Sequence, residues 1–225
     1  MIPRVSRKSI SPDELKRLMS PERLGSYEQE MGSPAGAVVL YEWNLAMSAA
    51  LFESLGAVEV ILRNAFHREL ALRNSQRGGT GPWYRGTWID TKGRRDVATA
   101  RDRATGWGRQ PELEGKVIAE LSFGFWRYLV AKRYQTTAWP ALQKAFPMHP
   151  AGSATPRVEI EDRMQRIHVL RNRIAHHEPI FRRNVAHDYV DMLTLVGWIS
   201  NEASGWVEDL SRVPALQAQR PDQTA

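Results

Sequence analysis

The chain contains no cysteine in 225 residues. That excludes disulfides, thiolate metal sites and a cysteine nucleophile, and it suits a reducing, cytoplasmic setting. Alternating apolar runs of the kind that mark β-strands are nearly absent. No apolar stretch approaches membrane-spanning length, and the basic residues 1–8 are not followed by an apolar segment, so neither a membrane anchor nor a signal peptide is expected. His-x-x-x-His with acidic support, carboxylates at metal-ligand spacing and a Gly-x-x-x-x-Gly-Lys loop are all missing as well. Neither a metal nor another cofactor is therefore expected, and nucleoside triphosphate binding is disfavoured.

What is present is arginine. Of 31 basic residues, 25 are Arg, and the formal net charge is +6. The excess is uneven. Residues 77–109 carry eight basic side chains against three aspartates, and residues 163–183 carry six arginines against Glu178 alone. Two such segments fit a polyanionic partner whose phosphates they would neutralise, with a merely solvated basic face as the alternative. Apolar content of 42% and eight Trp make the chain a folded globule with one core rather than a disordered polymer.

Helix starts recur along the chain. Ser11-Pro12 and Ser20-Pro21 each place a capping serine before a proline at the first helical position, predicting short helices over 12–19 and 21–30. Gly32-Ser33-Pro34 opens a long helical region over 35–73, expected to bend or break between 47 and 57. Its second half is amphipathic, with Val58, Ile61, Leu62, Ala65, Phe66 and Leu70 on one stripe. A Gly- and Trp-rich loop over 75–91 follows, then helices near 91–105, 111–121, 123–134 and 139–146. Helices over 157–177 and 184–203 complete the core. The expected organisation is a basic N-terminal tail with short helices over 1–33, an all-α helical domain over 34–210, and a disordered tail over 211–225. Phe123, Phe125 and Trp126 have helical spacing and read as core rather than as a base-stacking platform.

The most informative residues are Arg171, Asn172 and His176. A helix turns about 100° per residue, so Asn172 and His176 share one face, with Arg171 at its shoulder. Guanidinium offers a planar fork of donors to phosphate oxygens, and an ordinary imidazole exchanges a proton near neutrality, a pairing suited to phosphodiester chemistry. His176 and His177 are adjacent and diverge, so they do not chelate one metal together. A second polar stripe runs through Glu59, Arg63 and His67 at i, i+4 and i+8, with Asn64 beside it. It is either an exposed ion pair or a support for the first motif, in which Glu59 orients one of the arginines.

Four blocks in order carry a resemblance: Leu40-Tyr41-x-Trp43-Asn44, Glu59-Val60-x-Leu62-Arg63-Asn64, Leu121-Ser122-Phe123-Gly124-Phe125-Trp126, and the run from Leu170 to Phe181. Over residues 40–205 the chain resembles Abi-like proteins of the HEPN superfamily. The resemblance implies a HEPN-type helical bundle with additional helices, and a metal-independent endoribonuclease linked to abortive phage infection or toxin–antitoxin systems. It implies attack of a ribose 2′-OH on its own 3′ phosphate, leaving a 2′,3′-cyclic phosphate. His176 would be general base or acid, Arg171 would stabilise charge in the transition state, and Asn172 would orient the imidazole or the phosphate. His177 would be a second proton-transfer group or only a helix-end residue. RNA is the implied substrate, met by Arg94, Arg95, Arg173, Arg182 and Arg183, with a homodimer as the working unit and an antitoxin or phage trigger as a further partner. In a related toxin group a Tyr two residues after the motif His is the target of a modifying partner; Glu178 stands there in this chain. A non-catalytic HEPN module that binds RNA or protein is the alternative reading.

Overall fold

The computed structural model describes residues 10–222, and among them the chain forms eleven α-helices and no strand. The basic N-terminal residues lie outside the described part. Three helices begin with the same device. In α1 (Pro12–Met19), α2 (Pro21–Met31) and α3 (Pro34–Gln76), a serine hydroxyl accepts an N–H of the first turn and proline follows as the first helical residue.

The 43-residue α3 is the spine of the molecule, about 65 Å long. The helix is continuous between 47 and 57, so the break expected there does not occur. Ala50, Leu51, Ser54, Leu55 and Val58 are all buried through that stretch. Ser54 satisfies its hydroxyl on the carbonyl of Ala50 within the helix, and Gly56 sits on the open side, where a Cβ would meet nothing within 4 Å. Packing outweighs the propensity loss of about 1 kcal/mol that one glycine brings. An 18-residue window of α3 also reaches mean hydropathy 1.7, so the statement that no run approaches spanning length is corrected. Of that window 39% is buried against other helices, while Val39, Leu45, Phe52 and Val60 of α3 are exposed.

The remaining helices are α4 (Thr91–Ala104), α5 (Glu114–Glu120), α6 (Phe123–Val130), α7 (Trp139–Leu142), α8 (Pro156–Ala175), α9 (Val185–Ile199), α10 (Asn201–Leu210) and α11 (Val213–Gln217); α6 to α11 pack on the spine, and α4 and α5 pack on each other. The expected helix over 184–203 is divided at Ser200, whose extended backbone ends α9 and whose hydroxyl caps α10. Residues 1–33 are not a separate segment in their described part. Leu24, Tyr27 and Met31 of α2 are buried, and Tyr27 packs against Tyr41 and Phe181 with centroids 5.3 and 4.6 Å apart. Nor is the chain after 211 disordered in its described part. There α11 returns to α3, Val213 is buried, and the Trp43 indole donates to the Leu216 carbonyl at 2.7 Å. The capacity of Trp43 to reach a distant backbone acceptor is what local composition could not reveal.

Three polar joints fix the arrangement. Asp90 caps α4 through the Gly93 N–H and also accepts from Tyr128, Arg133 and Tyr134, tying α4 to α6 and the turn beyond it. Burial alone would raise its pKa, but these hydrogen bonds hold the carboxyl well below the usual range. Asp191 of α9 is buried and receives Arg166 at 2.5 and 3.0 Å, locking α9 to α8. The third joint is Asn44 of α3, also buried, whose Oδ1 accepts the N–H groups of both Ile180 and Phe181 at 2.8 and 3.1 Å. The aromatic block behaves as core. Phe123, Phe125 and Trp126 are buried, with Trp83 5.8 Å from Trp126 by centroids.

Asn44→Ala should destabilise the fold by at least about 2 kcal/mol, because it strands two buried N–H groups that water cannot reach. Denaturant unfolding with an unchanged slope measures this; a loss near zero would mean that the loop after α8 finds other acceptors.

Candidate functional site

The end of α8 is built by its own sequence. Ile160, Met164, Ile167 and Leu170 bury one stripe, which leaves His168, Arg171, Asn172 and His176 on a neighbouring face. The helix closes with His176 as its final cap. The His177 N–H bonds to the Ile174 carbonyl and the Glu178 N–H to the Arg173 carbonyl, a closure in which the residue after the cap is usually glycine. Here it is His177, with φ +55°. A side chain in this left-handed region is costly, by about 1 kcal/mol or more. The His177 carbonyl receives the Arg23 guanidinium of α2, and Arg173 donates to the Pro179 carbonyl at 2.8 and 3.2 Å. With the Asn44 joint beyond them, these contacts over-determine the turn.

His176 therefore lies just outside the helix, yet its N–H still bonds the Asn172 carbonyl at 3.0 Å. The one-turn relation between the two residues is kept. Its side chain is exposed, as is that of His177. Asn172 turns the other way, and its amide nitrogen lies 3.3 Å from Nε2 of His168, one turn back. Arg171 meets Glu59 of α3 at 3.4 Å, and its Nε is buried without an aligned hydrogen bond.

These contacts gather a compact polar cluster from three helices. Glu59 is half-buried; burial raises its pKa despite the opposing charges of Arg171 and Arg63. Arg63 reaches the Ala119 carbonyl at 3.4 Å, while its Nε is buried and unbonded. Arg127 of α6 likewise buries an unbonded Nε. His168 is held toward its neutral form, first by burial and then by the charges of Arg127, Arg171 and Lys92. Its ring lies 6.1 Å from that of Phe123 by centroids. Gly124 makes this approach possible, since a Cβ there would stand 3.1 Å from Nε2 of His168.

Other residues singled out from the sequence are placed elsewhere. Only Glu59 and Arg63 of the i, i+4, i+8 stripe belong to the cluster. His67 accepts the Trp83 indole N–H at 3.0 Å and braces the loop before α4, and Asn64 is exposed. Arg173 closes the turn as described. Arg182 stacks on Phe181 and pairs with Glu30, and Arg183 grips the buried Asp188 at 2.7 and 2.9 Å. Arg173 and Arg183 are half-buried and engaged within the chain, whereas Arg182 keeps an exposed side chain beside its partners. Arg94 is exposed and donates to the Ile89 carbonyl, while Arg95 is exposed beside it. Sequence reasoning left out His168 and Arg127. The first continues the 172–176 spacing one turn toward the N-terminus; the second follows Gly124 by three residues inside a block read as aromatic core.

The class these features define is an all-α protein with a cationic, imidazole-bearing surface at the end of one helix. Among the described residues no group of His, Asp and Glu is placed to hold a metal ion. In comparisons with known proteins, no family model, curated protein or solved structure matches the chain.

The raised pKa of Glu59 carries a sign. A carboxylate whose folded pKa lies above its unfolded value loses stability as pH rises through that interval, so the ionised form is the costly one. Glu59→Gln should therefore be more favourable relative to wild type at pH 7 than at about pH 4. Thermal unfolding of both proteins across this range tests it. The reverse order would show that the Arg171 ion pair outweighs burial.

Proposed function

We propose that the chain is a metal-independent endoribonuclease of the HEPN kind, with Arg171, Asn172 and His176 as its working residues. The observation that carries this reading is the end of α8. An arginine held only by the long contact of its Nε with Glu59 lies in the last turns of α8, and an exposed imidazole, its backbone locked one turn from Asn172, closes the helix. The resemblance over residues 40–205 supplies the reaction class. In it, His176 takes the proton of a ribose 2′-OH, the oxygen bonds to the adjacent phosphorus, and the bond from phosphorus to the 5′-oxygen breaks. Arg171 offsets the charge that grows on the phosphoryl oxygens. The departing 5′-oxygen takes up a proton, with His177 the adjacent candidate donor. Glu59 holds the guanidinium of Arg171 in one orientation before RNA arrives.

The same resemblance makes a homodimer the working unit, and abortive infection or toxin–antitoxin control the biological setting. Glu178, in place of a tyrosine, argues against control by modification at that position. One observation favours the second reading, a binding module without turnover: the Asn172 amide contacts His168 and not His176.

Purified protein in EDTA should cut total RNA to fragments ending in 2′,3′-cyclic phosphate. His176→Ala should remain folded and bind RNA while cleavage falls by at least about 100-fold. Cleavage undiminished in that variant would end the catalytic assignment. Absence of cleavage in wild type, with RNA binding intact, would favour the binding module. Binding should also weaken steeply with salt, and charge reversal at Arg94 and Arg95 should lower it further.

A further inference from the structure

The cluster between α3, α6 and α8 contains more cationic capacity than the cleavage reading uses. Arg63 and Arg127 each bury an Nε atom that finds no hydrogen-bond acceptor in the structure, and the buried Nε of Arg171 has only the long, 3.4 Å contact with the Glu59 carboxylate. Buried donors are normally satisfied, and guanidinium is a donor-only group, so the unsatisfied Nε atoms of Arg63 and Arg127, with the weakly held one of Arg171 between them, mark a place for further acceptor oxygens. Glu59 is the cluster's carboxylate, and at 3.4 Å it meets Arg171 alone. His168 stands among these groups, with Arg127 and Arg171 pressing their charges on it and Lys92 of α4 adding to them. Gly124 keeps the wall of α6 low enough for the imidazole to lie against it. His168 and His176 are eight residues apart on α8, about 12 Å along the axis. A group bound at the first is therefore not the group attacked at the second.

We propose that Arg63, Arg127 and His168, with Arg171 at their edge, form a second phosphate-binding site that holds an uncleaved phosphodiester of the bound strand. The chemistry is that of a phosphate ester: three planar donor forks and an imidazole surround tetrahedral oxygens. Strand identity rests on the ribonuclease reading, whereas the phosphate site itself does not. An anion in this place reverses the field on His168. The charges of Arg127, Arg171 and Lys92 that disfavour its imidazolium are offset, the opposing Glu59 remains, and the ring takes up a proton at higher pH than in the free protein.

The test uses the full chain with ¹⁵N-labelled histidine, followed by NMR. Saturating inorganic phosphate should raise the titration midpoint of His168 by about half a unit or more, and Arg127→Gln should abolish that response. Arg127→Lys, which keeps the charge without the fork, should restore part of it and guards against misfolding as the explanation. A short oligoribonucleotide should move His168 at far lower concentration than a nucleoside monophosphate. Equal potency would assign the site to small phosphomonoesters and overturn the strand proposal. In the His176→Ala background, Arg63→Gln and Arg127→Gln should each weaken oligoribonucleotide binding by about tenfold. A His168 midpoint unmoved by phosphate, with RNA affinity unchanged in both variants, would overturn the site while leaving cleavage at His176 standing. Cleavage retained by His176→Ala would remove the ribonuclease assignment and leave the phosphate titration of His168 as it is.

Discussion

One side-chain oxygen governs the geometry of the whole site. Oδ1 of Asn44, buried in the first half of the central helix, accepts two consecutive backbone N–H groups just beyond the end of α8. Those amides lie where no helix or strand can satisfy them, and an unpaired buried amide costs about 1–3 kcal/mol. The chain leaving the motif is thereby pinned to α3, and the direction in which α8 ends is decided. The left-handed His177, the guanidinium of Arg23 on its carbonyl and the clasp of Arg173 on Pro179 all follow from that anchor. Placing His177, not glycine, at a left-handed position holds together because the turn is fixed from both sides.

The arginines divide into two populations. One is structural: Arg166 on Asp191, Arg183 on Asp188, Arg182 on Glu30 and Arg173 on a carbonyl bind helices and turns to one another. Buried aspartates such as these are sustained by bidentate partners, and removing either member would strand a charge. The other population, Arg63, Arg127 and Arg171, surrounds Glu59 and His168 with donor atoms left over. Net charge counts both populations alike, although the second has donor atoms to spare within one cluster. Counting arginines along a segment therefore overstates the basic surface near residues 163–183.

Much of the fold was legible before any coordinates. Serine before proline at 11, 20 and 33 marks three helix starts because the hydroxyl and the pyrrolidine ring each solve a local problem of the first turn. The stripe through Val58, Ile61, Leu62, Ala65, Phe66 and Leu70 marks a buried face, and all are buried except Ile61, which is partly so. The continuity of α3 was not legible, since Gly56 and the small residues near it weaken a helix that burial against its neighbours stabilises. Residues 213–217 looked like a tail because their anchor is Trp43, some 170 residues away in sequence. Within the site, the pairing of Glu59 with Arg171 was within reach of helical spacing plus opposite charge. The divergence of His67 was not, because its partner is an indole in a loop.

The sequence by itself determined an all-α chain without thiol chemistry, its principal helices, and a guanidinium, an amide and an imidazole near the end of one of them. These follow from local rules: side-chain volume, capping chemistry and the 100° helical step. Tertiary structure alone decided that Asn172 turns to His168, that Arg127 arrives from a different helix, and that Arg173 and Arg183 are occupied within the chain. Those outcomes depend on which helices pack side by side, and that is settled by long-range burial and by buried polar joints such as Asn44. Helical spacing specifies the face on which a residue lies, but the group opposite that face is supplied by another part of the chain.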